Sequence, residues 1–278
     1  MPTFSSQDIP DLSGQVIIVT GGNAGLGYET IRQLSQHNPS TIYLASRSRD
    51  KAEKAIADLN ANDPSATNIR FLELDLASLE SVRTAAAEFL CHESRLDILI
   101  NNAGIMMTPE GLTKDGYEIQ FGTNVLGPAL FTKLLLPTLR DTARVNSQTR
   151  MVMLGSAAHA RAPKDVYNFE ELRTTASDRH TTERYTTSKL ANLHYAKALA
   201  ERENAVKIIP VHPAGTPVEK GALSQIFAAV SPEAKHGQYY GPIGKAETGS
   251  EIAQNHDLQE KLFKWVQGEL SEHVESIA

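Results

Sequence analysis

The sequence predicts an α/β protein built on a doubly wound parallel sheet with helices on both faces. Two observations carry this prediction. Short β-branched runs alternate with longer helical patterns along the whole chain, and several of these runs are apolar throughout. Strands of that kind are typical of parallel sheets, which helices cover on both sides. Since no repeat, low-complexity tract or linker is present, one domain over residues 1–278 is the simplest account.

Six strands are expected where the β-branched runs occur. They are residues 15–20, 41–46, 69–74, 96–101, 151–156 and 206–211. Helical patterns fill the intervals, at residues 25–36, 51–59, 79–92, 117–140, 187–202 and 221–230. Turn-rich stretches at residues 37–40 and 61–68 separate neighbouring elements.

Composition excludes several classes of function. The net charge is −6, and acidic and basic residues are interspersed, so we expect no nucleic-acid partner. The single cysteine, Cys91, excludes an internal disulfide framework and fits a reducing compartment. No apolar run is long enough to span a bilayer and the first residues lack a secretory-signal pattern, so we expect a cytoplasmic protein without a membrane span.

A glycine-rich turn follows the first strand, in the segment TGGNAGLGYE that ends at Glu29. Gly21, Gly25 and Gly27 lack the Cβ atoms that would keep a pyrophosphate away from the backbone or force the next helix off the sheet. The helix N-terminus supplies N–H groups and a positive dipole end for an anion. Because the spacing is not G-x-G-x-x-G, a glycine-rich turn without a ligand remains the alternative.

The second strand ends in a serine and basic residues, in the segment LASRSRDK. A site that reads the ribose hydroxyls of NAD would have a carboxylate near this strand end. Here Ser46 and Arg47 take that place, with Arg49 and Lys51 just beyond. A guanidinium suits a 2′-phosphate through paired, charge-assisted bonds, so Arg47 favours NADP(H). Arg49 fits a solvated basic loop equally well.

The fourth strand ends in INNAG, residues 100–104. Polar residues directly after an apolar strand lie at the carboxyl edge of a parallel sheet, where open α/β folds bind ligands. Asn102 could contact a cofactor or simply hold the turn, and the residues leave both alternatives open.

A tyrosine and a lysine stand four residues apart in the segment RYTTSKLANLHYA. On a helix this spacing places Tyr185 and Lys189 on one face, one turn apart. The pair alone fits a surface helix with an incidental aromatic and a lysine whose stem lies along the surface. Its interpretation depends on the rest of the chain.

Taken together, these residues resemble the short-chain dehydrogenase/reductase family over nearly the whole chain. The family's T-G-x-x-x-G-x-G motif is met at residues 20–27, its N-N-A-G at 101–104 and its Y-x-x-x-K at 185–189. Its acidic residue after the third strand, its serine ending the fifth strand and its asparagine on the long fourth helix correspond to Asp75, Ser156 and Asn124. The segments LINNAGIMM, GYEIQFGTNVLG and ALFTKLLLP resemble most the retinol-dehydrogenase-like branch, including its soluble fungal members.

The resemblance implies a Rossmann-type domain that reduces a ketone or aldehyde with NADPH, or oxidises an alcohol in reverse. Tyr185 would donate a proton to the substrate carbonyl. Lys189, together with the oxidised nicotinamide, would lower the tyrosine pKa from about 10 and would hold the ribose hydroxyls. Ser156 would orient the carbonyl, and Asn124 would anchor a water that relays protons to Lys189.

The same resemblance gives an expected set of NADP(H) contacts. They are Gly21, Asn23, Gly25, Leu26, Gly27, Ser46, Arg47, Lys51, Asp75, Leu76, Asn102, Ala103, Gly104, Tyr185, Lys189, Pro213, Gly215 and Thr216. The nine histidines show no closed ligand spacing, so we expect no metal site, and His159 is interpreted as a loop residue that could also touch substrate. Since related proteins often pair through the fourth and fifth helices, a homodimer is an option.

The chain departs from the family after the sixth strand. The family usually has P-G, a threonine and one or two short helices that cover the substrate, whereas Ala214 stands at the usual glycine and the next helix follows almost at once. We expect a lid shortened around residues 216–221 and an open pocket for a bulky cyclic or aromatic substrate, partly covered by residues 231–250. The alternatives are a deletion-derived, poorly active protein, a reductase-like protein recruited as a cyclase or isomerase, and a non-catalytic NADP(H)-sensing module.

Overall fold

One eight-stranded sheet organises the part of the chain that the computed structural model describes, residues 4–62, 68–213 and 217–274. The strands are β1 (Val16–Thr20), β2 (Thr41–Ser46), β3 (Ile69–Glu73), β4 (Ile98–Asn101), β5 (Arg150–Leu154), β6 (Lys207–Val211), β7 (Tyr239–Tyr240) and β8 (Ala246–Glu247). Their order in the sheet is β3-β2-β1-β4-β5-β6-β7-β8, and every pair is parallel except β7 with β8.

All six predicted strands are present, with ends that differ by at most two residues from the prediction. Strands β7 and β8 were not predicted from the sequence. Each has only two residues, so neither is long enough to show the alternation that identifies a strand.

The helices are α1 (Gly25–Ser35), α2 (Arg49–Asn62), α3 (Leu79–His92), α4 (Ile119–Phe121), α5 (Gly127–Ala143), α6 (Thr181–Ala200), α7 (Val218–Val230) and α8 (His256–Glu269). A π-helical segment, Gly122–Leu126, joins α4 to α5. α6 begins six residues before the predicted start at residue 187. The earlier start was not predicted because the first turn is polar and lacks the apolar period used for the prediction. Within the described residues, no helix is both long and apolar enough to cross a membrane.

The sheet separates two apolar clusters, which confirms helices on both faces. Phe89 of α3, Leu135 of α5 and Leu190 of α6 belong to the cluster on one face. Ile31 of α1 and Ile226 of α7 belong to the cluster on the other. Strand β1 shows why the sheet is buried on both sides, since all five of its residues are buried.

The carboxyl ends of the parallel strands meet at one edge of the sheet, where the connecting segments form the site described next. The connection from β6 to α7 is short, since β6 ends at Val211 and α7 begins at Val218. The sequence placed the start of this helix at Gly221, three residues later.

Candidate active site

A cavity of about 620 Å³ opens at the carboxyl edge of the sheet. Its walls come from the turn after β1, the end of β2, the segment after β3 and the segment after β4. Eleven of the predicted cofactor contacts line it: Gly21, Asn23, Leu26, Ser46, Arg47, Lys51, Asp75, Leu76, Asn102, Ala103 and Gly104. The structure therefore brings together residues that are far apart in the sequence.

Gly25 and Gly27 shape the turn after β1 and are not among the residues that line the cavity. Gly25 has a φ of +54°, and Gly21 has a φ of +68°, a region that side chains other than glycine rarely adopt. A Cβ on Gly27 would lie 2.3 Å from the carbonyl oxygen of Gly21, so only glycine lets α1 approach the turn this closely. This close approach is what a backbone cradle for a pyrophosphate requires.

Asn102 holds the turn. Its Nδ2 donates to the carbonyl oxygen of Thr20 at 2.8 Å, and the N–H of Ala103 donates to the Thr20 hydroxyl at 3.0 Å. Of the two alternatives for Asn102, the structural role is observed. A cofactor contact stays a prediction, which the position of Asn102 in the cavity wall allows.

The two arginines after β2 have different surroundings. Arg47 lines the cavity, whereas the guanidinium of Arg49 lies 4.7 Å from the centre of the Phe71 ring and 3.6 Å from the Glu73 carboxylate. Arg49 is thus engaged outside the cavity. The buried hydroxyl of Ser46 has no hydrogen-bond partner among the described residues, and a buried polar group of this kind fits a ligand that supplies the missing bond.

The Asp75 carboxylate is used within its own segment. Its Oδ1 accepts from the N–H of Ala77 at 3.0 Å, and its Oδ2 lies 4.0 Å from the ammonium of Lys114. The side chain therefore stabilises the turn before α3 while it lines the cavity next to Leu76. The predicted contact of Asp75 with adenine stays a prediction.

The predicted catalytic tyrosine, lysine and serine meet where β5 ends beside α6. Ser156 lies just beyond the end of β5, close enough to Tyr185 to lower the pKa of its phenol, and the Ser156 hydroxyl accepts from the N–H of Ala158 at 3.1 Å. The ammonium of Lys189 lies 5.8 Å from the centre of the Tyr185 ring and donates to the carbonyl oxygen of Leu154 at 3.2 Å. A Cβ on Gly104 would lie 3.2 Å from the Lys189 ammonium, so this group lies next to a residue of the cavity wall, although Tyr185 and Lys189 themselves are not among the residues that line the cavity.

Burial raises the pKa of the Tyr185 phenol, and the interaction with the Ser156 side chain only partly offsets this effect. Lys189 is itself enclosed, and desolvation lowers the pKa of its ammonium to about 8. Burial thus disfavours both charged forms, and the lowered tyrosine pKa expected for the complex with oxidised cofactor stays a prediction.

Asn124 lies in the π-helical segment and is fully buried. Its Oδ1 accepts from the N–H of Ile105 at 2.8 Å, and its Nδ2 donates to the Ile105 carbonyl at 2.9 Å and to the Ser188 hydroxyl at 2.9 Å. The Ser188 hydroxyl in turn donates to the carbonyl oxygen of Tyr185 at 2.7 Å. The side chain therefore clamps the segment after β4 onto α6, and the proposed water relay would use the remaining lone pair of Oδ1.

Sequence reasoning missed Ser188 and Gln120 at this site. Both are completely buried, and Gln120 accepts from the N–H of Met107 at 3.0 Å. Each is a polar residue within about one helical turn of a predicted catalytic residue, but the burial that makes it informative is not visible in the sequence.

A second cavity, of about 690 Å³, lies beside the segment that follows Ser156. Its walls are Ala157, His159, Ala160, His212, Gln238, Lys245, Ala246, Glu247, Thr248, Gly249 and Ser250. Gln238 and residues 245–250 thus line a cavity beside the segment after Ser156, and the partial cover of the substrate pocket by residues 231–250 stays a prediction.

His159 is more than a loop residue, because it is buried and supports Ser156. Its Nε2 faces the backbone N–H of Ser250 at 3.1 Å and must accept, so the ring proton of the neutral form lies on Nδ1. This Nδ1 faces the carbonyl oxygen of Ser156 at 2.7 Å, and burial lowers the pKa of the imidazole. Neutral His159 therefore fixes the backbone of Ser156 against the second cavity.

Three predicted contacts lie after β6. Pro213 is half-buried and absent from the walls of both cavities, and Gly215 and Thr216 lie outside the described residues. The predicted absence of a metal site stays a prediction. One surface group in the described part of the chain, Glu201, His256 and Glu260, has potential ligand atoms within 4.8 Å of one another, but Glu260 already forms an ion pair with Arg202.

Comparisons with known proteins agree with this geometry. The family model for short chain dehydrogenases matches residues 15–166. A short-chain dehydrogenase/reductase of Armillaria gallica is 38% identical over 96% of this chain and 93% of its own length. Human retinol dehydrogenase 13 is 37% identical over 76% of this chain and 61% of its own length.

A solved structure extends the similarity to the three-dimensional fold. An uncharacterised protein from Mycobacterium paratuberculosis superposes with a TM-score of 0.79 at 29% identity, covering 96% of this chain and 97% of that one. The resemblance drawn from the motifs is therefore confirmed. The chain belongs to the short-chain dehydrogenase/reductase family of oxidoreductases, whose cofactors are NAD(H) and NADP(H).

Proposed function

We propose that the protein is an NADPH-dependent carbonyl reductase that reduces a bulky ketone or aldehyde and can oxidise the alcohol in reverse. The observation that carries this proposal is the grouping of Tyr185 and Ser156 with the Lys189 ammonium, which lies 5.8 Å from the centre of the Tyr185 ring and next to Gly104 in the wall of the 620 Å³ cavity. This arrangement holds a proton donor, a second hydroxyl and a cation around one point, as carbonyl reduction requires.

Each of these side chains has one role in the proposal. Ser156 hydrogen-bonds the carbonyl oxygen and Tyr185 donates its proton to that oxygen, which raises the electrophilicity of the carbonyl carbon. Lys189 stabilises the tyrosinate left behind and holds the ribose hydroxyls. Asn124 holds α6, which carries Tyr185 and Lys189, against the segment after β4. The nicotinamide cofactor, when bound, supplies the hydride that the carbonyl carbon accepts.

The choice of NADPH over NADH rests on the end of β2. Ser46, Arg47 and Lys51 line the cavity there, and none of the residues after β2 in the cavity wall is acidic. A guanidinium and an ammonium attract the extra phosphate of NADP(H), whereas a carboxylate at this position would repel it.

Arg47→Asp should therefore invert the cofactor preference. We expect the Kd for NADPH to rise about 10- to 100-fold, the loss of one charge-assisted contact, with little change or an improvement for NADH. Fluorescence titrations with both cofactors measure this directly. Arg49→Asp is the matched control, because Arg49 is engaged by Phe71 and Glu73 outside the cavity. Equal losses in the two variants would contradict the assignment of Arg47.

The first experiment is a titration of the purified protein with NADPH and NADH, followed by NADPH oxidation with a panel of ketones. Preferential NADPH binding with ketone-dependent oxidation supports the reductase. Tight binding without turnover on any ketone would instead support a sensing module, and conversion of a substrate without NADPH oxidation would support a cyclase or isomerase. No binding of either cofactor would overturn the proposal.

We also propose that the protein acts in the cytoplasm. Its one cysteine, Cys91, is exposed and free, which suits a reducing compartment. Fractionation of cells that produce the tagged protein would test this, and recovery with membranes would contradict it.

A further inference from the structure

A buried ion pair lies directly beside the proposed proton donor. Arg184, the residue before Tyr185, donates from Nη1 to Oε1 of Glu118 at 3.0 Å. Only 4% of the arginine side chain and 1% of the glutamate side chain are exposed. Since removing two charges from water is costly, a pair this enclosed is weak as a stabilising element and asks for another explanation.

The pair joins the segments that carry the site. The second oxygen of Glu118 accepts from the N–H of Phe121 at 2.6 Å and so caps α4, the turn that leads into the π-helical segment with Asn124. The second Nη of Arg184 donates to the carbonyl oxygen of Thr108 at 3.3 Å, and Thr108 lines the cofactor cavity. The guanidinium of Arg184, in the first turn of α6, thus contacts both the start of α4 and the cavity wall.

The cavity wall is also held by α4 and the π-helical segment that follows it. The N–H of Ile105 bonds Asn124 at 2.8 Å, and the N–H of Met107 bonds Gln120 at 3.0 Å. Residues 105–108 are therefore fixed to α4 and the π-helical segment. Arg184 of α6 then joins α6 to this segment at Thr108 and to α4 at Glu118. The Nε of Arg184 remains buried without a partner among the described residues, so this geometry is kept at a cost in hydrogen bonding.

We propose that Glu118 and Arg184 are positioning residues that set the location of Tyr185 relative to Ser156 and Lys189. This inference rests on the proposed function, in which Tyr185 is the proton donor. Tyr185 lies in the second turn of α6, close to the helix start at Thr181, where helix ends fray. The ion pair holds this turn in place, and a displacement of about 1 Å is enough to lower a rate about 100-fold.

Two variants test the pair with different risks to folding. Arg184→Lys keeps the charge but loses the second donor toward Thr108. The double variant Glu118→Gln with Arg184→Met removes both charges, so neither leaves an unpaired ion in the core. Arg202→Lys is the matched control, since Arg202 bonds Glu260 at 2.6 and 2.7 Å near the end of the same helix but on the exposed surface.

Both variants should lower kcat about tenfold or more while the Kd for NADPH and the KM stay within about twofold. The titration of Tyr185 should also move, by about half a pH unit or more, since its pKa depends on the distances to Ser156 and Lys189. Its midpoint is measured from tyrosinate absorbance as the difference between each protein and its Tyr185→Phe form. The control should change neither quantity.

Variants that fold with wild-type kcat and an unchanged Tyr185 midpoint would overturn the proposal, and so would failure of both variants to fold, which would assign the pair to stability. The absorbance titration needs no substrate. If the wild-type protein turned over no ketone, the proposed function would fall, while a shifted Tyr185 midpoint in the variants would still support the positioning role.

Discussion

Tyr185 is the residue on which the proposed chemistry depends. Its substitution by phenylalanine tests proton donation separately from cofactor binding. Tyr185→Phe removes one oxygen and leaves the ring in place. Since a positioned acid contributes about 100- to 10,000-fold, kcat for ketone reduction should fall by that factor while the Kd for NADPH stays within about twofold. Stopped-flow reduction and a binding titration measure the two effects. A variant that kept most of its activity would show that another group donates the proton.

Lys189 should couple stability to pH in the protein without cofactor. The folded protein releases the Lys189 proton at about pH 8, whereas the unfolded chain holds it up to about 10.5. Unfolding therefore takes up a proton between these values, so this group makes stability rise with pH across that window. Below pH 8 the full cost of the buried ammonium is present.

Lys189→Met should accordingly stabilise the protein more at pH 7 than at pH 10, by an amount on the order of 3 kcal/mol at most. Urea unfolding of both proteins at the two pH values gives the difference. A pH-independent effect of the substitution would mean that the ammonium is hydrated in solution.

At the residue scale the sequence identified the groups with a motif and missed those that support them. Tyr185, Lys189, Ser156 and Asn124 could be placed because their spacing follows a family pattern. The partnership of Glu118 with Arg184 joins positions 66 residues apart, and no local pattern shows which charges the fold will bring together. The raised pKa of Tyr185 likewise depends on burial, which a single sequence does not give.

The turn between β1 and α1 is an element whose geometry tolerates little change. A Cβ on Gly27 would lie 2.3 Å from the backbone oxygen of Gly21, and backbone cannot move aside as a flexible side chain can. Gly27→Ala should therefore destabilise the protein by about 1–3 kcal/mol and weaken NADPH binding. Thermal unfolding should show a melting temperature several degrees lower, at about 2–4 °C per kcal/mol for a chain of this size.

Gly268→Ala provides the control for this element. Gly268 lies in α8, and a Cβ there would meet no heavy atom within 4 Å. Alanine should raise stability by up to about 1 kcal/mol, because glycine is the poorer helix former. A turn variant as stable as this control would mean that α1 can shift without cost.

The strands and helices were predictable to the extent that their apolar period is long. Strands β1, β2, β4 and β5 are buried along their whole length, and α3 matches its predicted residues at both ends. β7 and β8 were not predicted because a strand of two residues shows no alternating pattern. The start of α6 was not predicted because its first turn is polar. Elements defined by tertiary contacts rather than by pattern are the ones a sequence does not show.

For the molecule as a whole, the proposal of a bulky substrate rests on the short link between β6 and α7. Only residues 212–217 separate these two elements, too few for a covering helix, and the 690 Å³ cavity lies beside Ser156. We expect kcat/KM for bulky cyclic or aromatic ketones to exceed that for small acyclic ketones about tenfold or more, since larger substrates bury more apolar surface. Stopped-flow assays with both classes check this, and equal or better turnover of small ketones would contradict it.

The C-terminal helix also bears on assembly. α8 packs on α6, where Phe263 stacks on Tyr195 with ring centres 5.7 Å apart. Trp265 of the same helix contacts Phe121 of α4, with ring centres 5.8 Å apart. A homodimer through the face of α6 that α8 covers is therefore blocked by the chain itself, and a dimer would need another surface.

The burial of α6 determines which parts of the protein unfold first. Every residue from Ser188 to Ala196 is buried, so this stretch of α6, which carries Lys189, touches the core on all sides. The amide protons of this stretch should exchange with solvent only through global opening, among the slowest in the molecule. Lys189 thus belongs to the last part of the structure to open, whereas Tyr185 lies nearer the start of the helix. Partial denaturation should therefore open the periphery before this stretch.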